Sequence, residues 1–330
     1  MTATKDIEKH VGWIRQHTLK SPIRYVGVGL HSGQRVSMRV RPARANSGIR
    51  FVRKDVPVTQ GLILARWDNV TDTRQSTVIS NEHGVSIRSV EHLMAALRGC
   101  DIDNALIEVD GPEVPAMDGS SDPFVVLIER AGTTEQTAPR RAIQIHQPVT
   151  VCDGDKFALL MPNSTAKFTV EIDFASRPVG FQRYSAELVD GTFKLEVAPA
   201  RTFGFSEQVN HLRAQGLALG GSLQNAIVIE GERVLNEEGL RFADEFVRHK
   251  VLDCIGDVAL AGAPVMGHFF AHKPGHKLNN ALVRQLFAQE DAWSYVTFGQ
   301  IQEAPTWRRF AETRLAGAMQ SAWAWLQNVA

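Results

Sequence analysis

Cysteine is scarce in this 330-residue chain: three residues, Cys100, Cys152 and Cys254, far apart and with no C-x-x-C pair. That spacing offers neither a disulfide framework nor a thiolate zinc site and fits reduced core thiols. No stretch reaches the roughly 18 uninterrupted apolar residues of a membrane helix. The opening "MTATKDIEKHVGW" lacks the apolar run of a signal peptide, so the expected compartment is the cytoplasm. Charge of either sign is not in excess, with Lys+Arg and Asp+Glu at 36 each, which gives no support to bulk nucleic-acid binding and leaves room for a local basic patch that takes a phosphorylated ligand. Two motifs are missing as well. There is no H-E-x-x-H, which argues against the common metallopeptidase helix, and the glycines of "GVGLHSG" have the wrong spacing for a dinucleotide loop and precede no helix.

What the chain has is enough apolar material for sizeable cores, 44% against 22% charged, at a length that favours two domains. "PIRYVGVGL", the turn "HSG" and "QRVSMRVRP" read as a hairpin, because Val36, Met38 and Val40 alternate with polar residues. "SIRSVEHLMAALRGC" (86–100) has helical periodicity through Ile87, Val90, Met94 and Leu97. A strand "NALIEVDG", the loop "GPEVPAMDGSSD" and a helix "PFVVLIERAG" follow. The second half repeats this order: strands near 144–151, 156–160 and 167–174, a helix over 243–261, a strand "PVMGHFFAH", and a helix "LNNALVRQLFAQ". The duplication predicts an α+β fold of two similar domains, each a β-sheet layered with helices, with the helices of both packed between the sheets. The expected divisions are an amino-terminal extension 1–20, a first domain 21–131, a polar linker 132–141, a second domain 142–303 with an insert at about 206–230, and a carboxy-terminal extension 304–330.

"FVRHKVLDCIGD" places His249, Asp253 and Asp257 at four-residue intervals on the second-half helix. At about 100° per residue they fall at roughly 0°, 40° and 80°, opposite an apolar side. Such a stripe is either a solvated face or one wall of a metal site with imidazole and carboxylate ligands. His92, on the matching helix of the first half, supplies an imidazole from elsewhere, with Glu91 directly before it. One histidine from each half would put the site at the domain interface.

"SIRSVEHLMAAL", "PAMDGSSDPF", "RTFGF", "GLALGGSLQNAIVI", "VLNEEGLRFADEFVRHKVLDCIGD" and "KPGHKLNN" occur in this order, from about residue 22 to about 300. Together they resemble the UDP-3-O-acyl-N-acetylglucosamine deacetylases, the zinc amidases that commit cells to lipid A synthesis. The resemblance implies metal ligands His92, His249 and Asp253, with Zn2+ as the cofactor, although the N/O donor set accepts Fe2+ too. It implies Glu91 as general base, Thr202 of "RTFGF" as a donor to the developing oxyanion, and His276 of "KPGH" as general acid, kept protonated by Asp257. Lys250 would help place the substrate's phosphates. Phe203 would contact the sugar or acyl region, and Asp173 and Phe174 of "EIDF" the uracil. The insert would form a passage for the fatty acyl chain, lined by Val209, Ala218, Leu223, Ala226 and Val228. The implied partner is a UDP-linked acylated glucosamine bound by a monomer. The remaining expectations concern 304–330: a helix with an Ala311–Val329 apolar stripe, docked on its own domain or resting weakly on a membrane surface through 306–330. Rival readings are a metal-dependent deacetylase of another acylated amino sugar and a catalytically silent sugar-nucleotide binder.

Overall fold

The computed structural model describes residues 14–189 and 191–298. Two sheets and the helices between them follow from alternation. In the first half, Ile23–Val28, Arg35–Pro42, Ala105–Val109, Ile49–Arg53 and Leu62–Leu64 form a five-stranded sheet in that spatial order. Val36, Met38, Val40, Phe51, Ile63 and Ile107 point inward and are buried, while their sequence neighbours face out. In the second half, Val149–Asp153, Lys156–Met161, Val265–His272, Arg141–Ile145 and Trp293–Thr297 form the path of a seven-stranded sheet, which Ala166–Asp173 and Phe181–Glu187 complete.

The predicted duplication is present in the topology. Each half has a helix, a strand and a second helix in succession: α1 (Glu91–Gly99), Ala105–Val109 and α2 (Asp122–Ala131), then, after the separate α3 (Ser206–Ala214), α4 (Glu245–Ala259), Val265–His272 and α5 (His276–Ala288). In both halves the middle strand lies inside its sheet and runs parallel to an earlier strand, to Ile49–Arg53 in the first and to Ala166–Asp173 in the second. The parallel pairing follows from the helix that carries the chain back before each strand.

Three expectations change. The helix of 86–100 starts at Glu91, not earlier; Ser86–Ile87 is a strand paired with Val78–Ser80, and Ser89, with φ at 59°, turns the chain between the two. The polar segment read as a linker is largely a strand, Thr133–Pro139, paired with Arg15–Leu19. Part of the amino-terminal extension is thereby built into the fold. This two-stranded ribbon is largely polar, so it has no hydrophobic alternation to announce it. The carboxy-terminal extension 304–330 and its membrane-contact reading lie outside the described residues.

α1 and α4 cross at very short range, and Gly256 is the reason. A Cβ on Gly256 would sit 2.0 Å from the carbonyl oxygen of Glu91. Only a residue without a side chain lets the first turn of α1 lie on α4. Gly256→Ala should therefore cost about 1–3 kcal/mol by overpacking. Calorimetry would read this as a lowered melting temperature.

Candidate functional site

α4 is buried along nearly its whole length, which removes the solvated-stripe reading. His249 is 1% exposed, Asp253 4% and Asp257 3%. The α1–α4 crossing brings the two histidines edge to face, with ring centroids 4.9 Å apart. Nε2 of His92 lies 3.4 Å from Oδ1 of Asp253, and Nε2 of His249 lies 3.3 Å from the same oxygen. Ligand atoms of His92, His249 and Asp253 all fall within 4.8 Å of one another. The donor chemistry fits a divalent cation. Nδ1 of His249 donates to the carbonyl of Ala200 at 3.1 Å, which leaves Nε2 as the lone-pair nitrogen. Burial pushes the His249 imidazole down to about 3, so it stays neutral and available as a ligand. The second oxygen of Asp253 accepts from Lys250 Nζ at 2.9 Å.

A second cluster adjoins the first. Asp257 accepts from Nδ1 of His276 at 2.8 Å, from the Asn279 amide at 2.8 Å, and from the Thr77 hydroxyl at 2.5 Å. Glu91 accepts from the Thr77 backbone N–H at 3.1 Å, and its other oxygen lies 3.8 Å from Nε2 of His276. Burial raises the Glu91 carboxyl above its ordinary value. Burial alone would lower His276, but Asp257 and then Glu91 outweigh it and hold the imidazole up to about 10. One buried pocket thus holds a carboxyl of raised proton affinity facing a charged imidazole.

Glu91, His92, His249, Asp253 and His276 line one cleft, together with Thr202, Phe203, Lys250, Leu30 and His31. Thr202 is seated by backbone bonds on both sides: its N–H donates to Gly119 at 2.8 Å and its carbonyl accepts from Ile227 at 2.8 Å. Next to it, Arg201 is clamped by Glu245 through Nε at 2.9 Å and through its own backbone N–H at 3.0 Å. Phe203 packs against Phe246, at 4.9 Å between centroids, and edge-on to His249 at 6.5 Å.

The residues expected to contact substrate lie at different distances from this cleft. Phe174 stacks at an angle on Phe203, 5.7 Å between centroids, and so borders the cleft at one remove. Asp173 is exposed and 3.3 Å from Lys273, away from the cleft lining. The insert is α3, a loop, and the strand Ile227–Glu230, which runs parallel to Phe203–Phe205. None of Val209, Ala218, Leu223, Ala226 and Val228 lines the described cleft. Instead the loop docks on the first-half turn: Leu219 N–H donates to His31 O at 3.1 Å and Gly220 N–H to Leu30 O at 3.0 Å. A Cβ on Gly220 would meet the Gly29 carbonyl at 2.2 Å, which explains a glycine there.

Two residues of the site carry no sequence signal of their own. Thr77 bridges Glu91 and Asp257, residues 14 and 180 positions away. His31, read as a surface or core histidine, is buried in the cleft wall. Its Nδ1 accepts from the Ala218 N–H at 3.3 Å, and its buried Nε2 has no partner among the described residues.

The family model described as LpxC, UDP-3-O-acyl N-acetylglycosamine deacetylase, matches residues 16–288. A protein named UDP-3-O-acyl-N-acetylglucosamine deacetylase from Phenylobacterium zucineum is 51% identical over 285 residues, 86% of this chain and 97% of that one. Proteins of the same name from Acidithiobacillus ferrooxidans and Pasteurella multocida are 50% and 48% identical, over 91% and 88% of this chain and 98% and 96% of theirs.

Removing one member of the Arg201–Glu245 pair leaves the other charge buried. Glu245→Gln leaves Arg201 paired with Glu238 and should lower stability by about 1–3 kcal/mol, read from the shift of the urea midpoint.

Proposed function

Since the chain belongs to the UDP-3-O-acyl-N-acetylglucosamine deacetylase family, we propose that it hydrolyses the acetamide of UDP-3-O-acyl-N-acetylglucosamine. The products are acetate and UDP-3-O-acyl-glucosamine, the committed step of lipid A biosynthesis. The observation that carries this reading is the convergence of His92, His249 and Asp253 within 4.8 Å, beside the facing pair Glu91 and His276. His92, His249 and Asp253 would hold a divalent ion, zinc or ferrous iron. When bound, that ion supplies Lewis acidity for a water and for the amide carbonyl.

The chain's own groups account for the proton movements. Glu91, with its raised proton affinity, takes a proton from the water that attacks the acetamide carbon. The Thr202 hydroxyl is a donor for the negative charge that develops on the carbonyl oxygen. His276 holds a proton for the amine nitrogen as the C–N bond breaks, and Asp257 keeps it charged. Thr77 and Asn279 fix Asp257, so the imidazole is aimed as well as charged. Lys250, half-buried and donating to Asp253, places the substrate's phosphates, and Phe203 offers a face to the sugar. Phe174, packed on Phe203, and Asp173 farther out beyond the cleft lining mark the nucleobase side, and 206–230 the acyl side. Among the described residues no helix is long and apolar enough to cross a membrane. We place the enzyme in the cytoplasm as a monomer.

Glu91→Ala should retain metal while turnover falls about 10²–10⁴-fold. Asp253→Ala should lose metal, which elemental analysis and acetate release would check together. Full turnover by Glu91→Ala would overturn the base assignment. Asp257→Asn removes the strongest influence raising His276, so burial is then opposed only by Glu91 and, more weakly, Asp253. The imidazolium is lost at lower pH, and the basic limb of the kcat/KM profile should move acidward with metal content unchanged.

A further inference from the structure

The outward face of the five-stranded sheet carries a charge that the cleft does not use. Directly opposite residues share a face, so the register lays this surface out. Arg24 is opposite Arg39, Val26 opposite Ser37, and Val28 opposite Arg35. Arg39 and Arg41 are opposite Glu108 and Leu106. Arg50 is opposite Leu64, and Val52 opposite Leu62.

Five arginines thus lie on one face with Glu108, and with Asp110 at its margin. Glu108 takes Arg41 at 3.0 Å and Arg39 only at 4.0 Å, while Asp110 accepts from the Ser37 backbone N–H at 2.6 Å. Among the described residues, Arg24, Arg35 and Arg50 have no carboxylate within ion-pair distance, and the buried Nε of Arg39 has no partner. Arg24 opposite Arg39 is a like-charge pair that costs sheet stability. This occurs in a chain whose charges balance at 36 each, so the excess is local. The arginines are interleaved with exposed aliphatic side chains: Val26 at 47%, Val28 at 42%, Leu62 at 46% and Leu64 at 36%.

We propose that this face docks on an anionic phospholipid bilayer. Guanidinium groups bind lipid phosphates through paired N–H donors, and each basic residue near an anionic surface adds attraction. The interleaved groups are aliphatic, suited to the acyl boundary, where a single-stranded nucleic acid would want aromatic platforms for its bases. Position supports the same occupant. Val28 ends its strand at the turn where the insert loop docks, with a Val28 methyl 3.0 Å from where a Gly220 Cβ would sit, and Leu30 of that turn lines the cleft. The face therefore ends at the cleft rim, where a substrate held in a bilayer by its acyl chain would arrive. The docking itself does not depend on the catalytic reading.

The test is flotation of the full chain with vesicles of phosphatidylglycerol or of phosphatidylcholine. Binding should occur on phosphatidylglycerol alone and weaken as salt is raised. The triple variant R24Q/R35Q/R50Q should bind on the order of a hundredfold more weakly, with its melting temperature and its turnover on dispersed substrate unchanged. Val26→Ser with Leu62→Ser should weaken the binding that survives at high salt. No binding of the full chain, or undiminished binding of the triple variant, would overturn the proposal. So would tighter, arginine-dependent retention by single-stranded RNA than by the vesicles. Arginine-dependent vesicle binding by a chain that releases no acetate would uphold the docking face and count against the proposed reaction instead.

Discussion

Everything the site does depends on one close approach, the backbone of Glu91 lying on Gly256. That contact sets how far His92 on α1 stands from His249 and Asp253 on α4, the three groups whose donor atoms could hold a metal ion. A side chain at 256 would hold the helices apart and separate His92 from His249 and Asp253. Four residues of α4 therefore act together: two present ligand atoms, Asp257 reaches the imidazole beyond, and the glycine lets the other helix in.

Around this crossing the polar groups are arranged so that each buried charge has a partner. Asp257 is saturated by Thr77, His276 and Asn279, and this is why it can hold an imidazolium in a site from which water is largely excluded. Glu91 receives one backbone N–H and otherwise faces His276, so burial prevails and its proton affinity rises. Neighbouring carboxylates on two crossing helices thus acquire opposite tasks from unequal solvation and hydrogen bonding. Farther out, Arg201 and Glu245 tie the segment of Thr202 and the strand Phe203–Phe205 to the first turn of α4, so two walls of the cleft are joined.

The two halves do not contribute equally. The first half lends α1, Thr77 just ahead of the strand Val78–Ser80, and the turn with His31; the second lends α4, α5 and the loop that covers that turn. The paired glycines of the loop matter because backbone must meet backbone there, Gly220 against Gly29. The expected acyl-lining residues belong to the same insert but stand outside the described cleft, so the insert shapes the entrance more than the chemical centre.

Much of this was legible in the residues alone. The alternation of Val36, Met38 and Val40 announced a one-sided sheet, and the repeated order of helix, strand and helix announced two related halves. The four-residue spacing of His249, Asp253 and Asp257 put three groups on one helix face. Local periodicity determines such features because it acts within a few residues. Spacing could not say whether that face met water or another helix, since burial depends on what packs against it. Thr77 and His31 were invisible for the same reason: their roles arise from contacts made across 180 and 187 positions of chain. The polar ribbon of Arg15–Leu19 and Thr133–Pro139 escaped notice because pairing, not hydrophobic pattern, defines it. The sequence by itself determined the elements and the chemistry available on each. Only the tertiary structure decided which of those groups meet, because the distance between α1 and α4 is set where the two helices touch.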